Sequence, residues 1–367
     1  MNNIISYAET AFDTFDRRDF CSVDSLILSW FTYLHIPNIL YKSMLQNGIR
    51  IADLFLAEYF DEIFSSVWSY SDNKQLLTAL AANPRFRNIR IFNYIEQLDA
   101  TAEKQFAAMT FKLTSDLYYV SFRGTDSTFI GWKEDFNMAF KYPVPAQEEA
   151  AAYLNEAAKY CPGNILIGGH SKGGNLAVYA AMKATGSIQD RIRKIYSHDG
   201  PGFLAEVLKS KEFMQISSKI EKTIPQSSIV GILLEHQENY QIVKSNSISF
   251  GQHNLFSWLV VNNDFINIGK LTSGAKHLNR TINDWLSSLT IDERERFVEA
   301  LYSILQTADV TSVNDFRSDW HKNLPAVIHA AGKLDDDTKH FLTSTLKELA
   351  SLSARNFQNM FKNNKEL

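Results

Sequence analysis

The pentapeptide Gly169-His-Ser-Lys-Gly173 has the G-x-S-x-G spacing of a serine nucleophile, which would be Ser171. That spacing arises often by chance, so its flanks decide the reading. An apolar run, Ile165-Leu-Ile167, leads in, and a helix rich in small residues, Gly173 to Ala184, leads out. A serine on a sharp strand-to-helix turn stands above the sheet edge, and glycines on either side remove clashes with the bend. The helix behind it turns its first N–H groups and its dipole toward negative charge forming on a substrate. The competing readings are a glycine-rich phosphate cradle and a plain βα turn. No Gly-Lys-Ser/Thr ending follows the glycines, which argues against a nucleotide loop.

Acyl transfer also needs two N–H donors aimed at the oxyanion. One normally comes from the residue after the nucleophile, here Lys172. The other comes from a loop after an earlier strand. Gly124-Thr125 follows the β-rich run Leu117 to Phe122, so Thr125 is the second donor expected, through its N–H and its hydroxyl. A plain tight turn would explain the same residues. The Lys172 side chain is expected to face solvent from the first helical turn rather than to bind an anionic substrate group.

A serine hydroxyl needs a histidine base, and the base needs an orienting carboxylate. On this fold the chain order is serine, acid, histidine. Asp199 is the acid expected. It follows the strand-like run Lys194 to Ser197, in a loop made sharp by Gly200-Pro-Gly202, where open α/β sheets bind ligands. A turn aspartate bonded to its own backbone is the alternative. His253, in Gly251-Gln-His-Asn254, is the base expected. His236 is its rival, in a segment that reads as helical. His198 is next to Asp199 and should point to the other side of the strand. His277, His321, His329 and His340 fall in the C-terminal helical region, where a solvated or core role is the default.

These residues need a sheet to hold them. Ala107 to Leu113 and Leu117 to Phe122 read as a hairpin, with Thr114-Ser-Asp116 as its turn. Gln147 to Cys161 shows an apolar helical face, and Pro162-Gly163 stops it. Asn164 to Gly168, Lys194 to Ser197 and Tyr240 to Val243 read as strands. Alternation of strands with helices predicts an α/β fold, an α/β-hydrolase with a mostly parallel sheet and helices on both faces. Residues 1–100 read as mainly helical, with Ala52 to Phe64 at helical spacing. Residues 101–275 form the expected hydrolase core. Residues 276–367 read as a helical addition paced by Leu301, Ile304 and Leu305, then Leu342, Leu346 and Leu349.

Composition removes several functions. The formal net charge of the 367 residues is −4, and no strongly basic segment occurs, so nucleic acid is not an expected partner. No Cys/His spacing suits a metal, and serine acyl transfer calls for no cofactor. Only Cys21 and Cys161 occur, which fits a reducing compartment and a cytoplasmic location. The N-terminus does not read as a signal peptide. The greasiest run, Leu26 to Leu40, is too short and too polar to span a bilayer, while peripheral contact with a membrane stays open.

Phe122-Arg-Gly-Thr125, Trp132, Asp135 and Gly169-His-Ser-Lys-Gly173 together resemble the fungal-type triacylglycerol lipases of the α/β-hydrolase superfamily. The chain is still more similar to a bacterial family of unknown function, the Mbeg-like proteins. The segments that carry this likeness are Arg123-Gly-Thr-Asp126, Gly131 to Met138, Gly169 to Asn175, Asp199-Gly-Pro-Gly202, Ser228-Ile-Val-Gly231 and Gln252-His253. The resemblance implies a lipase- or esterase-like serine hydrolase acting on a lipid or other acyl ester. It also implies that Trp132 and Asp135 support the oxyanion loop. One position departs from it. Fungal-type lipases carry their acid after the next strand, where this chain has Ser228. Asp199-Gly-Pro instead resembles the acid turn of pancreatic-type lipases. A catalytically idle scaffold, and an amidase, thioesterase or acyltransferase on the same site, are the alternatives. Phe203, Phe250, Leu255, Phe256 and Trp258 would line an acyl pocket or simply pack the core.

Overall fold

Ile165 to His170 are all buried, as a central strand covered on both faces requires. They lie in the middle of a sheet seen in a computed structural model that describes residues 2–65, 67–126, 129–234, 239–307 and 320–363. Its eight described strands run in chain order across the sheet. They are β1 (Ile49–Arg50), β2 (Arg90–Asp99), β3 (Lys104–Lys112), β4 (Leu117–Phe122), β5 (Asn164–His170), β6 (Ile192–His198), β7 (Ile220–Pro225) and β8 (Tyr240–Val243). β1 pairs antiparallel with β2, and β3 with β4. From β4 to β8 every pairing is parallel.

Two helices cover opposite faces of the strands that carry the site. The first, Ser22–Phe31, is buried along its whole length. Ser25 and Ser29 meet the Tyr119 hydroxyl of β4 at 2.8 and 3.0 Å, and Ser25 meets His198 Nε2 of β6 at 2.9 Å. The second, Lys172–Lys183, leaves β5 through Ser171. A Cβ at its Gly174 would stand 2.7 Å from the Ser197 hydroxyl. Ser197 and His198 alternate sides of β6, so the two helices lie on opposite faces. A mostly parallel sheet, helices on both faces and a strand–serine–helix turn at its centre make this an α/β-hydrolase fold.

The hairpin and the strands at 164, 194 and 240 form as expected. Three strands were not anticipated, the two-residue β1 among them. β2 is half-exposed for most of its length and shows no clean alternation. β7 carries Glu221 and Lys222 in its middle, a polar pair that hides it, although Lys222 is buried. The helical spacing of Ala52 to Phe64 is not one helix. It resolves into short turns, Ile51–Leu54, Ala57–Tyr59 and Phe60–Ile63. Asp53 closes the first of them by accepting the Arg50 N–H at 2.9 Å, and the Phe60 ring lies tilted against Phe55 on one side and Phe64 on the other.

The chain divides into two units, the first being Met1–Leu98, Phe106–Gly124 and Pro145–Leu271. The second is Asp99–Gln105, Thr125–Val144 and Thr272–Leu367. Its described helices are Phe129–Asn137, Ser273–Ser288, Ile291–Thr307, Trp320–Gly332 and Asp336–Asn363. Ala300, Ile304, Ala330 and Leu342 form one of its cores, and Trp285, Leu289 and Leu352 another. Leu346 is exposed rather than core. Lys133 is buried between Glu103 and Glu299 at 2.6 and 2.8 Å. No described helix is long and apolar enough to cross a membrane.

Candidate active site

Ser171 has φ +60° and ψ −134°, a backbone state few non-glycine residues adopt. Such strain costs on the order of 1–3 kcal/mol and persists only where the surroundings fix it. Here they do. The Ser171 N–H donates to the His198 carbonyl at 2.9 Å, and its own carbonyl accepts the Gly174 N–H at 2.9 Å. Gly169 and Gly173 press together under the bend. A Cβ on Gly169 would overlap the Gly173 backbone, and one on Gly173 would overlap the Phe122 carbonyl oxygen. The end of β4 therefore passes directly beside the serine, and a Cβ on Gly124 would stand 2.8 Å from that of Ser171.

Asp199 leaves β6 at φ +50°, and its N–H donates to the Thr223 carbonyl of β7 at 2.7 Å. Its carboxylate is fully buried. An ionised carboxylate offers only acceptors, so burial demands donors on both oxygens. Oδ1 receives the Ser228 hydroxyl at 2.5 Å and the Gly231 N–H at 3.1 Å, and Oδ2 lies 2.7 Å from His253 Nδ1. On the other side of the ring, His253 Nε2 lies 2.9 Å from Ser171 Oγ. With a carboxylate at Nδ1, the hydrogen sits on Nδ1, and Nε2 accepts from the serine hydroxyl. Ser171, His253 and Asp199 thus stand in one hydrogen-bonded line.

Next to this line is a second imidazole. His170 Nε2 is 2.9 Å from the His253 carbonyl, which can only accept, so Nε2 carries the hydrogen. His170 Nδ1 then accepts from the Tyr33 hydroxyl at 3.1 Å. The two rings lie 4.6 Å apart. Burial, then the neighbouring His253 and His198, push the His170 pKa well below its usual value. His170 therefore holds the His253 backbone without placing a second positive charge beside it. Asn175 supports the acid loop. Its amide donates to the Gly202 carbonyl at 2.8 Å, and its oxygen accepts from Gln147 at 2.8 Å.

On β2, burial alone would raise the Glu96 carboxyl. Hydrogen bonds from His35 and Tyr94 and the Arg123 guanidinium outweigh it and hold the group at about 2. Arg123, the residue before Gly124, meets Glu96 at 2.5 Å. Thr125 begins the second segment of the second unit, and its hydroxyl donates to Asp135 at 2.6 Å. Lys172 heads its helix, so its N–H is among the first-turn amides that lack an intrahelical acceptor. The Lys172 side chain does not face solvent as expected; it is 1% exposed. Every residue from Lys172 to Met182 is buried, so the first turn of this helix has no solvent face.

His198 points away from Ser171, as expected. It is fully buried, 2.7 Å from the Thr223 hydroxyl, and burial pushes its pKa down to about 3. His236 and the side chains of Phe250 and His321 lie outside the described residues. His277 meets Ser353 at 3.2 Å, and His329 and His340 are exposed. Leu255 and Trp258 belong to the core of the first unit, with Phe256 packed against it. Phe203 is buried against Phe213. Sequence reasoning missed Tyr33, Gln147, Ser228 as a donor, and Gly231. Only the Ser228-Ile-Val-Gly231 segment gave a signal, as a departure from a familiar pattern.

The neutral His198 makes stability depend on pH. Below about 6.5 the unfolded chain binds a proton there that the native chain refuses, so stability falls as pH drops, down to about 3. The slope is at most about 1.4 kcal/mol per pH unit. Thermal melting followed from about pH 7 to pH 5 should show this drop, and His198→Asn should shrink it. An equal drop in both proteins would exclude His198 as a source.

A family model described as Mbeg1-like matches residues 80–303 of the chain. Among solved structures, the chain is similar to two propeptide complexes of Rhizomucor miehei lipase. For a deletion mutant, identity is 18% over 47% of this chain and 58% of that one, with a TM-score of 0.34. For the native lipase, identity is 16% over 60% and 66%, with a TM-score of 0.36. It thus spans less than two thirds of either lipase chain. The lipase of Rhizopus microsporus var. chinensis is 15% identical over 58% of this chain and 76% of that one, with a TM-score of 0.29. No curated protein matches the chain. The family match covers more than half of the residues, and the chain belongs to the Mbeg1-like family.

Proposed function

We propose that this chain is a serine hydrolase that cleaves a carboxylic ester through an acyl-enzyme. The observation that carries the reading is the run of contacts from Asp199 through His253 to Ser171, at 2.7 and 2.9 Å. Ser171 Oγ attacks the ester carbonyl carbon while His253 Nε2 takes its proton. Asp199 holds the Nδ1–H and stabilises the imidazolium. The N–H groups of Lys172 and Thr125 are the proposed oxyanion donors. The tetrahedral intermediate collapses, the C–O bond to the leaving group breaks, and His253 returns the proton to the departing alcohol. Water, deprotonated by the same ring, then attacks the acyl-enzyme and releases the acid and the serine. No step calls for a metal or an organic cofactor. A lipid or other acyl ester is the proposed substrate class. The serine at position 228, which favoured an idle scaffold, is accounted for by its bond to Asp199.

The test is hydrolysis of a p-nitrophenyl ester series of increasing acyl length. The wild-type protein should turn over at least one member, and Ser171→Ala should lower that rate by about 10³-fold or more. Folded wild-type protein that cleaves no ester above the buffer rate, or undiminished turnover in Ser171→Ala, would overturn the proposal.

A further inference from the structure

Ser228 is one turn beyond β7, its N–H donating to the Pro225 carbonyl at 2.9 Å. Its hydroxyl is buried and has a single hydrogen to give. That hydrogen goes to Asp199 Oδ1, since a carboxylate oxygen only accepts. The Gly231 N–H is shared between the same oxygen, at 3.1 Å, and Ser228 Oγ, at 3.0 Å. Position 231 must be glycine for this, because a Cβ there would overlap Asp199 Oδ1. The loop is also fastened to the base. The Ser227 N–H donates to Gln252 Oε1 at 2.8 Å, Gln252 Nε2 to the Ser247 carbonyl at 2.9 Å, and Trp258 Nε1 to the Gln252 carbonyl at 2.8 Å. Gln252 is the residue before His253.

We infer that Ser228 is a positioning residue for the acid. With the Gly231 N–H it occupies Oδ1, which turns Oδ2 to His253 Nδ1. The inference rests on the hydrolase reading above. Ser228 touches neither substrate nor the reacting atoms; it acts through Asp199. Removing its donor leaves Oδ1 with one hydrogen bond. The carboxylate then rotates more freely about its bond to Cβ. The titratable groups facing it are His253, in contact, and behind that ring the neutral His170. His198, the adjacent residue, points to the opposite face.

The experiment compares Ser228→Ala and Ser228→Thr with the wild type in ester hydrolysis, with kcat, KM, the pH–rate profile and the melting temperature measured for each. Ser228→Ala should lower kcat by about 10- to 100-fold, the usual worth of a buried hydrogen bond to a charge, and leave KM within about twofold. Ser228→Thr, which keeps the hydroxyl, should restore kcat. Should the alanine variant not fold, Ser228→Cys keeps the volume with a weaker donor and should show the same changes, smaller in size. A folded Ser228→Ala or Ser228→Cys with wild-type kcat overturns the inference and leaves the hydrolase reading standing. Absence of turnover in the wild type sinks that reading, and the inference with it.

Discussion

Asp199→Asn should cut ester turnover by about four orders of magnitude while the protein stays folded. The reason lies in the donors around the carboxylate. Oδ1 accepts from Ser228 and Gly231. An asparagine must turn its oxygen to those two donors, because its NH₂ group cannot accept. The amide hydrogens then face His253 Nδ1, which is forced to accept and to carry its own hydrogen on Nε2. Nε2 faces Ser171 Oγ at 2.9 Å, so the ring presents a donor where a base is needed. The amide has the same size as the carboxylate and keeps the Ser228 and Gly231 bonds, so the melting temperature should change little. Steady-state kinetics with a thermal melt checks both halves. Full turnover in a folded Asp199→Asn protein would mean that another group orients the base.

The second large effect concerns stability. Gly173→Ala places a methyl group on the Phe122 carbonyl oxygen and 2.9 Å from the Arg123 carbonyl carbon. Both neighbours are backbone at the end of a buried strand, so neither can move aside without shifting β4 against β5. The expected loss is on the order of 3–5 kcal/mol, comparable to severe overpacking in a core. Gly186→Ala is the matched control. Nothing lies within 4 Å of a Cβ there, at the start of the short helix Gly186–Gln189. That change should be neutral or stabilising by up to about 1 kcal/mol, through the unfolded chain. Urea unfolding of the two variants reads the contrast. Equal stability would mean that the bend is looser than its contacts imply.

The parts of the fold that could be read from sequence are those where one physical signal dominates. β5 is buried on both faces and so reads as an unbroken apolar run. The helix after Ser171 packs closely on the sheet and so reads as small residues. Asp199 and His253 could be named because chain order on this fold leaves few places for an acid and a base, and the structure brings both into contact with Ser171's line. Where two signals compete, the reading failed. β7 needs Lys222 in its buried register, against the ordinary preference of lysine for solvent. Lys172 was assigned to solvent for the same reason. The turns at 51–63 share helical spacing with a helix, yet local capping by Asp53 and the packing of Phe55 on Phe60 divide them. Tyr33 gave no signal at all, since its hydroxyl reaches His170 across 137 positions of sequence. Ser228 was visible only as an absence of charge. That a hydroxyl there would serve a carboxylate supplied from 29 residues earlier is a fact of tertiary packing.

The most direct measurement is covalent capture by a fluorophosphonate, with the site of attachment read by peptide mass mapping. A serine activated by His253 should gain one phosphonyl group, on the peptide carrying Ser171. Ser171→Ala should gain none, and His253→Ala should react far more slowly. Folded wild-type protein that stays unmodified, or an adduct on a different serine, would contradict the assignment of Ser171 as a nucleophile.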